Sequence, residues 1–233
     1  QEQTGNPKEI AFRNNIAAPG LYVLVVSVTF AITDWVMSLD PHLFSTIYGV
    51  WYVVTGVLGA IAFGAIIVCR NANSEPYREI ISPQLTRDLG NLMLAFTMFW
   101  CYVSLSQFII IWSGNLPEYI TYYKNRGTAE WTALGAFNIV VGFFVPFRCL
   151  LFPRTKAVAR VLLPVAALIL VMRFVDLYYH VIPAMRSTMF NVWDLAALVG
   201  VGGLWFLLFG IQIRQASLVP SYDNRLVEAK AQH

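Results

Sequence analysis

Charge is what this sequence has least of. Asp, Glu, Lys and Arg make up 12% of its 233 residues, about half the roughly 25% of an ordinary soluble domain. That deficit excludes an ordinary water-soluble fold, whose surface needs charge. Histidine is scarce as well, with only His42, His180 and His233. None of them falls well inside an apolar run, so the axial ligands of a membrane b-type haem are missing. The three cysteines, Cys69, Cys101 and Cys149, form no C-x-x-C pair or other metal spacing and read as small buried hydrophobes. Strict apolar/polar alternation is also lacking, which excludes a transmembrane barrel.

What is present is hydrophobic length. Hydrophobic residues reach 58% and the mean hydropathy is +0.60. A bilayer core about 30 Å thick takes about 20 apolar residues in helix. Six runs meet that length: Pro19 to Met37, Ile47 to Cys69, Leu89 to Trp112, Thr132 to Phe152, Val158 to Leu177 and Val192 to Ile213. The expected fold is therefore an all-α integral membrane protein with six transmembrane helices in an antiparallel bundle. Residues 1–18 form a cytoplasmic arm, 19–213 the membrane domain and 214–233 a cytoplasmic tail.

The orientation follows from the basic residues. Twelve of the sixteen Lys and Arg fall in the N-terminal arm (Lys8, Arg13), the second loop (Arg70, Arg78, Arg87), the fourth loop (Arg148, Arg154, Lys156, Arg160) and the tail (Arg214, Arg225, Lys230). Only Lys124, Arg126 and Arg186 fall on the other side, and Arg173 lies within a span. Basic residues stay on the cytoplasmic side, so both termini belong there. Trp35, Trp112, Tyr119, Trp131 and Trp193 mark the opposite interface. A net charge of +3 spread this way suits a membrane surface and argues against nucleic acid.

Local signals add detail. Asp40-Pro41 reads as an N-cap followed by proline in the first turn of a helix. Gly56, Ala60 and Gly64, four apart, predict close helix packing along one stripe. Pro146 and Pro164 each free a carbonyl inside a span.

An ionisable group within a span is costly and is a functional candidate by default. The first span holds Asp34, and the fifth holds Arg173 and Asp176 with His180 just beyond. Spacings of three and four put Arg173, Asp176 and His180 on one helix face. Asp40, His42, Glu118 and Asp194 gather with Tyr179 at the same non-cytoplasmic end. Such a set suits a proton path or a quinone headgroup site, because carboxylate and imidazole groups relay protons. It equally suits a structural ion pair, and a turn-and-cap role for Asp40 and His42. A secondary transporter is disfavoured because no internal repeat is visible.

Several unusual polar motifs recur in order along nearly the whole chain. They are Ser38-Leu39-Asp40-Pro41-His42-Leu43-Phe44-Ser45-Thr46-Ile47-Tyr48-Gly49, then Asp88-Leu89-Gly90-Asn91 with Ala95-Phe96-Thr97-Met98-Phe99-Trp100. Ser106-Gln107-Phe108, Ile111-Trp112 and Gly114-Asn115-Leu116-Pro117-Glu118 follow, then Val145-Pro146-Phe147 and Asp176-Leu177-Tyr178-Tyr179 with Pro183-Ala184. This set resembles the C-terminal part of ActF-type subunits of bacterial alternative complex III, a polysulfide-reductase-like (NrfD-like) membrane family. The chain carries fewer spans than such subunits do.

The resemblance implies a non-haem subunit in the bacterial cytoplasmic (inner) membrane. It would belong to a complex that oxidises quinol and reduces a cytochrome c or a cupredoxin. The implied partners are an ActC-like membrane subunit, an iron-sulfur subunit and multihaem c-type cytochrome subunits, besides membrane lipid. No cofactor is expected to be bound covalently, and menaquinone or ubiquinone is expected at or near the subunit. The implied roles are a quinone-associated site, a proton pathway or anchorage of the redox subunits.

Overall fold

Ser82 and Pro83 set a sharp helix boundary. The Ser82 hydroxyl accepts from the Leu85 amide at 3.2 Å, and Pro83 follows in the first turn, where its missing N–H costs nothing. The helix that starts there ends at Asn115, whose φ of 45° is the left-handed conformation that closes many helices. Its length is 32 residues. At about 1.5 Å per residue it is long enough to cross a bilayer and project from it.

The computed structural model describes residues 7–186 and 188–215. Its helices are α1 (Pro7–Trp35), α2 (Tyr48–Asn71), α3 (Pro83–Gly114), α4 (Thr121–Lys124), α5 (Ala129–Ile139), α6 (Val145–Leu151), α7 (Pro153–Ala157), α8 (Ala159–Met185) and α9 (Val192–Gln215). A π-helical turn, Val140–Phe144, joins α5 to α6 into one span. Among the described residues, six helices are thus long and apolar enough to cross a membrane. The protein is an all-α, multi-pass membrane protein.

The helix α2 lies at the centre, against α8 and α3, with α1 on its outer side. Leu58, Ala62 and Ala65 of α2 meet Met93 of α3 and Leu162, Ala166 and Ile169 of α8, all buried. These residues make a dry core in the half of the bundle that carries Arg70, Arg87 and Arg160. Aromatic residues dominate the other half. The outward faces of α1 and α9 expose leucines and valines, which carry no cost where they face lipid. The approach of α1 to α2 depends on Gly49. A Cβ there would come within 2.9 Å of the Thr29 Cα.

Four sequence expectations need correction. First, α1 begins at Pro7 and runs through Pro19, so residues 7–18 are helical and continuous with the first span, whose apolar stretch begins at Ala11 and not Pro19. One missing N–H is tolerated in a long helix. Second, Asp40-Pro41 does not start a helix. Asp40 Oδ1 accepts from the His42 amide at 3.3 Å, and the Asp40 carbonyl accepts from Leu43 at 3.0 Å. This local turn competes with helix, and α2 starts only at Tyr48. Third, the Gly56, Ala60 and Gly64 stripe makes no close helix packing. Gly56 and Ala60 are exposed, and a Cβ at Gly56 or Gly64 would meet nothing within 4 Å. Fourth, α8 continues past Leu177 to Met185. Tyr178, Tyr179 and His180 end the apolar run in the sequence, yet the helix goes on: Tyr179 and His180 pack towards Arg126 and Trp51, and Tyr178 turns to Asp194 at the corner with α9. Residues 216–233, read from the sequence as a cytoplasmic tail, lie outside the described residues together with His233.

Candidate functional site

The extra turns of α8 change where the ionisable residues lie. Asp176 stands nine residues before the end of α8 at Met185, roughly 13 Å at about 1.5 Å per residue. It therefore lies deep in the bundle rather than at a span end. Its side chain is 0% exposed.

Three helices supply its partners. Trp100 on α3 donates its indole N–H to Asp176 Oδ2 at 2.7 Å. Asn138 on α5 donates Nδ2 to Oδ1 at 2.6 Å. Arg173, one turn back on α8, donates Nη1 to Oδ2 at 3.3 Å. The Arg173 guanidinium also lies 4.1 Å above the Trp100 ring centroid, a cation–π contact. Buried charge is tolerated only when paired and hydrogen-bonded, and this carboxylate meets both conditions.

Two prolines help to place two arginines. Proline cannot donate to the carbonyl four residues earlier. Pro146 thereby withdraws the donor that would serve Gly142, and the π turn forms just ahead of it. Arg173 Nη2 donates to the Gly142 carbonyl at 3.4 Å. Pro183 likewise withdraws the donor for Tyr179, and Arg126 Nε donates to that carbonyl at 3.2 Å.

His180 continues the cluster. Its Nδ1 lies 2.8 Å from the Asp176 carbonyl and 3.5 Å from Asp176 Oδ1. A carbonyl can only accept, so Nδ1 carries the proton and Nε2 is left as the acceptor. The ring sits 4.1 Å from the Trp51 ring and 6.4 Å from that of Tyr122. Trp51 donates to the Ser104 hydroxyl at 3.1 Å, and Ser45 donates to Gln107 Oε1 at 2.5 Å. Trp100, Ser104 and Gln107 therefore form a polar seam on α3, leading from Asp176 towards the aromatic end.

The structure brings Arg173, Asp176 and His180 together, as their spacing predicts, with Tyr179 beside them. It does not bring in the rest. Asp34 is exposed on α1. His42 and Glu118 are exposed, and Glu118 contributes only its carbonyl, which accepts from the Thr121 hydroxyl at 2.6 Å. Asp40 is buried in its own turn. Asp194 forms an ion pair with Arg186 and accepts from Tyr178 at the corner between α8 and α9.

Sequence reasoning missed Trp100, Asn138 and Arg126. The first two carried a usable signal. Trp100, Ser104 and Gln107 recur at spacings of four and three, and Asn138 is a lone amide within an apolar run. Arg126 carried none, since in sequence it is one loop cation among others. The same holds for Lys156, whose stem crosses Gly90 and whose Nζ donates to Asn91 Oδ1 at 2.7 Å.

Tyr122 lies in the loop between two spans and is 3% exposed. Burial pushes its phenol well above the ordinary range, while the Arg126 charge pulls the other way. Folded Tyr122 therefore stays protonated at a pH where the unfolded phenol ionises. Its contribution to stability is fully present below about pH 10, the unfolded value, and is lost as pH rises above it. Alkaline unfolding followed by tyrosinate absorbance should be shallower in Tyr122→Phe than in the parent. Identical alkaline curves would show that Tyr122 ionises freely in the folded protein.

Comparison with known proteins adds no assignment to this site: no protein-family model matches the sequence, and no curated protein is similar to it.

Proposed function

We propose that this chain is a non-haem membrane subunit of a quinol:electron-acceptor oxidoreductase and that the Asp176 cluster is its proton-handling site. The motifs that resemble ActF-type subunits support the first half of this reading. The observation that carries the second half is a carboxylate with no solvent exposure, deep in the bundle, held by donors from α3, α5 and α8. A buried ionisable group is retained at a cost, and proton relay is among the roles that such groups serve within a membrane.

The chemistry follows from the atoms. His180 takes a proton at Nε2 and passes its Nδ1 proton to Asp176 Oδ1, 3.5 Å away, or runs the exchange in reverse. Arg173 stabilises the ionised carboxylate, and Trp100 and Asn138 fix its orientation. Menaquinol or ubiquinol would be the source of protons within the complex. Both oxygens of Asp176 already accept from side chains of this chain, which argues against direct contact with a quinone headgroup. The redox work would belong to the iron-sulfur and multihaem partners.

The test uses the complex as it exists. Purified from its native membrane in mild detergent, the tagged chain should bring down c-type haem that it cannot hold itself, having no C-x-x-C-H. In that complex, Asp176→Asn should slow quinol oxidation by roughly a hundredfold, the scale of a lost acid–base group, or reduce protons released per electron. An assembled complex with unchanged rate and proton yield would end the proton role. Poor assembly with normal turnover in what forms would favour an anchoring subunit instead, a reading supported by Asp176 tying three helices together.

A further inference from the structure

The segment 115–128 between α3 and α5 should be an ordinary exposed connection. Its one helix, α4, has four residues and cannot sustain itself. Connections of this kind run over the surface. This one is anchored instead. Tyr122 and Arg126 are each 3% exposed. Tyr122 packs with Leu43, Tyr48 and Ile111.

Arg126 is what ties the segment to the site. Its Nη1 donates to the Tyr122 carbonyl at 2.5 Å, Nε to the Tyr179 carbonyl at 3.2 Å and Nη2 to the His180 carbonyl at 2.7 Å. The guanidinium lies 3.5 Å above the Tyr122 ring centroid. One side chain thus joins the loop to the turn of α8 that carries His180. The Tyr179 carbonyl is available because Pro183 offers it no amide, so no helix bond competes with the latch. When the arginine leaves, that carbonyl loses its donor. Such a cost favours two discrete states, closed or open, over gradual fraying.

We infer that residues 115–128 form a lid over the aromatic end of the Asp176 cluster and that Arg126 is its latch. In the closed state Tyr122 lies on one side of the His180 ring, which is 16% exposed. Release of Arg126 would expose His180 further to water. Arg126 is thus a positioning residue: it sets the conformation around His180 without handling the proton. The bearing of the lid on turnover rests on the proton-handling reading, but its existence does not.

The test reads access and not activity, so the two ideas fail separately. In the assembled protein, with Cys69, Cys101 and Cys149 replaced by alanine, His180→Cys provides a single thiol. Its labelling by a membrane-impermeant maleimide should rise on the order of tenfold or more when Arg126→Met removes several charge-assisted bonds. Arg126→Lys, which keeps the charge but loses the fork geometry, should give a smaller rise. Equal labelling with arginine and methionine at position 126 would overturn the latch. The unmodified chain offers a check that needs no variant. Amide exchange across Tyr122 to Arg126 should be as slow as in α5, and exchange at the rate of a free loop would refute the lid.

Discussion

Asp176→Leu should be the most damaging single substitution in the bundle. It leaves the Arg173 guanidinium, 3% exposed, without its counter-ion. It also strips the acceptor from the Trp100 indole and the Asn138 amide. Breaking a buried ion pair from one side costs about 3–5 kcal/mol. The expected result is a large fall in the temperature at which the detergent-purified protein loses its monodisperse peak. Asp176→Asn should cost less but not nothing. An amide offers one oxygen to two donors and turns its own NH2 towards the other. Arg173→Met combined with Asp176→Leu should recover much of the loss, because removing both charges removes the unpaired one. A leucine variant as heat-resistant as the parent would mean that the cluster contributes nothing to holding the helices.

Gly142→Val comes next, and it tests the same site from its backbone side. Gly142 lies in the π turn, and its carbonyl accepts from Arg173. A Cβ there would stand 2.7 Å from Asn138 Oδ1, 3.3 Å from Met172 Cε and 3.4 Å from Arg173 Nη2. Any shift of Asn138 to make room strains its 2.6 Å bond to Asp176. Overpacking costs about 1–3 kcal/mol, and the lost charge-assisted bond adds to it, so a total near 3 kcal/mol is expected. Gly142→Ala should show part of this effect. The control is Gly56→Val, where nothing lies within 4 Å of the new Cβ. Equal thermal shifts for valine at 142 and 56 would show that the close approach at Gly142 does not matter.

These expectations depend on features that were unequally legible. Span number was plain, because about 20 apolar residues in a row have no other stable use in a bilayer. Periodicity also put Arg173, Asp176 and His180 on one face, since spacings of three and four are intrinsic to a helix. Depth was not legible. The apolar run of the fifth span stops at Leu177, so Asp176 read as a residue at the membrane edge. Only packing showed that the helix continues past Leu177 and that Tyr179 and His180 meet partners from other elements. The Gly56, Ala60 and Gly64 stripe misled for a related reason. Spacing shows that small residues share a face but not which face meets a neighbour.

What the sequence alone determined about this protein is its solvent, its helices and the local set of polar side chains on α8. Hydrophobicity, helical period and capping are properties of short stretches of chain, and they act before any helix meets another. Tertiary structure decided which of the ionisable residues matter together. It left Asp34, His42 and Glu118 exposed and drew Trp100, Asn138 and Arg126 to the α8 turn from three other parts of the chain. Those partners are separated from Asp176 and His180 by 76, 38 and 54 residues respectively. No local pattern encodes a contact across such distances. It arises when α3, α5 and the lid pack against α8, and when Pro146 and Pro183 leave carbonyls for two arginines to take.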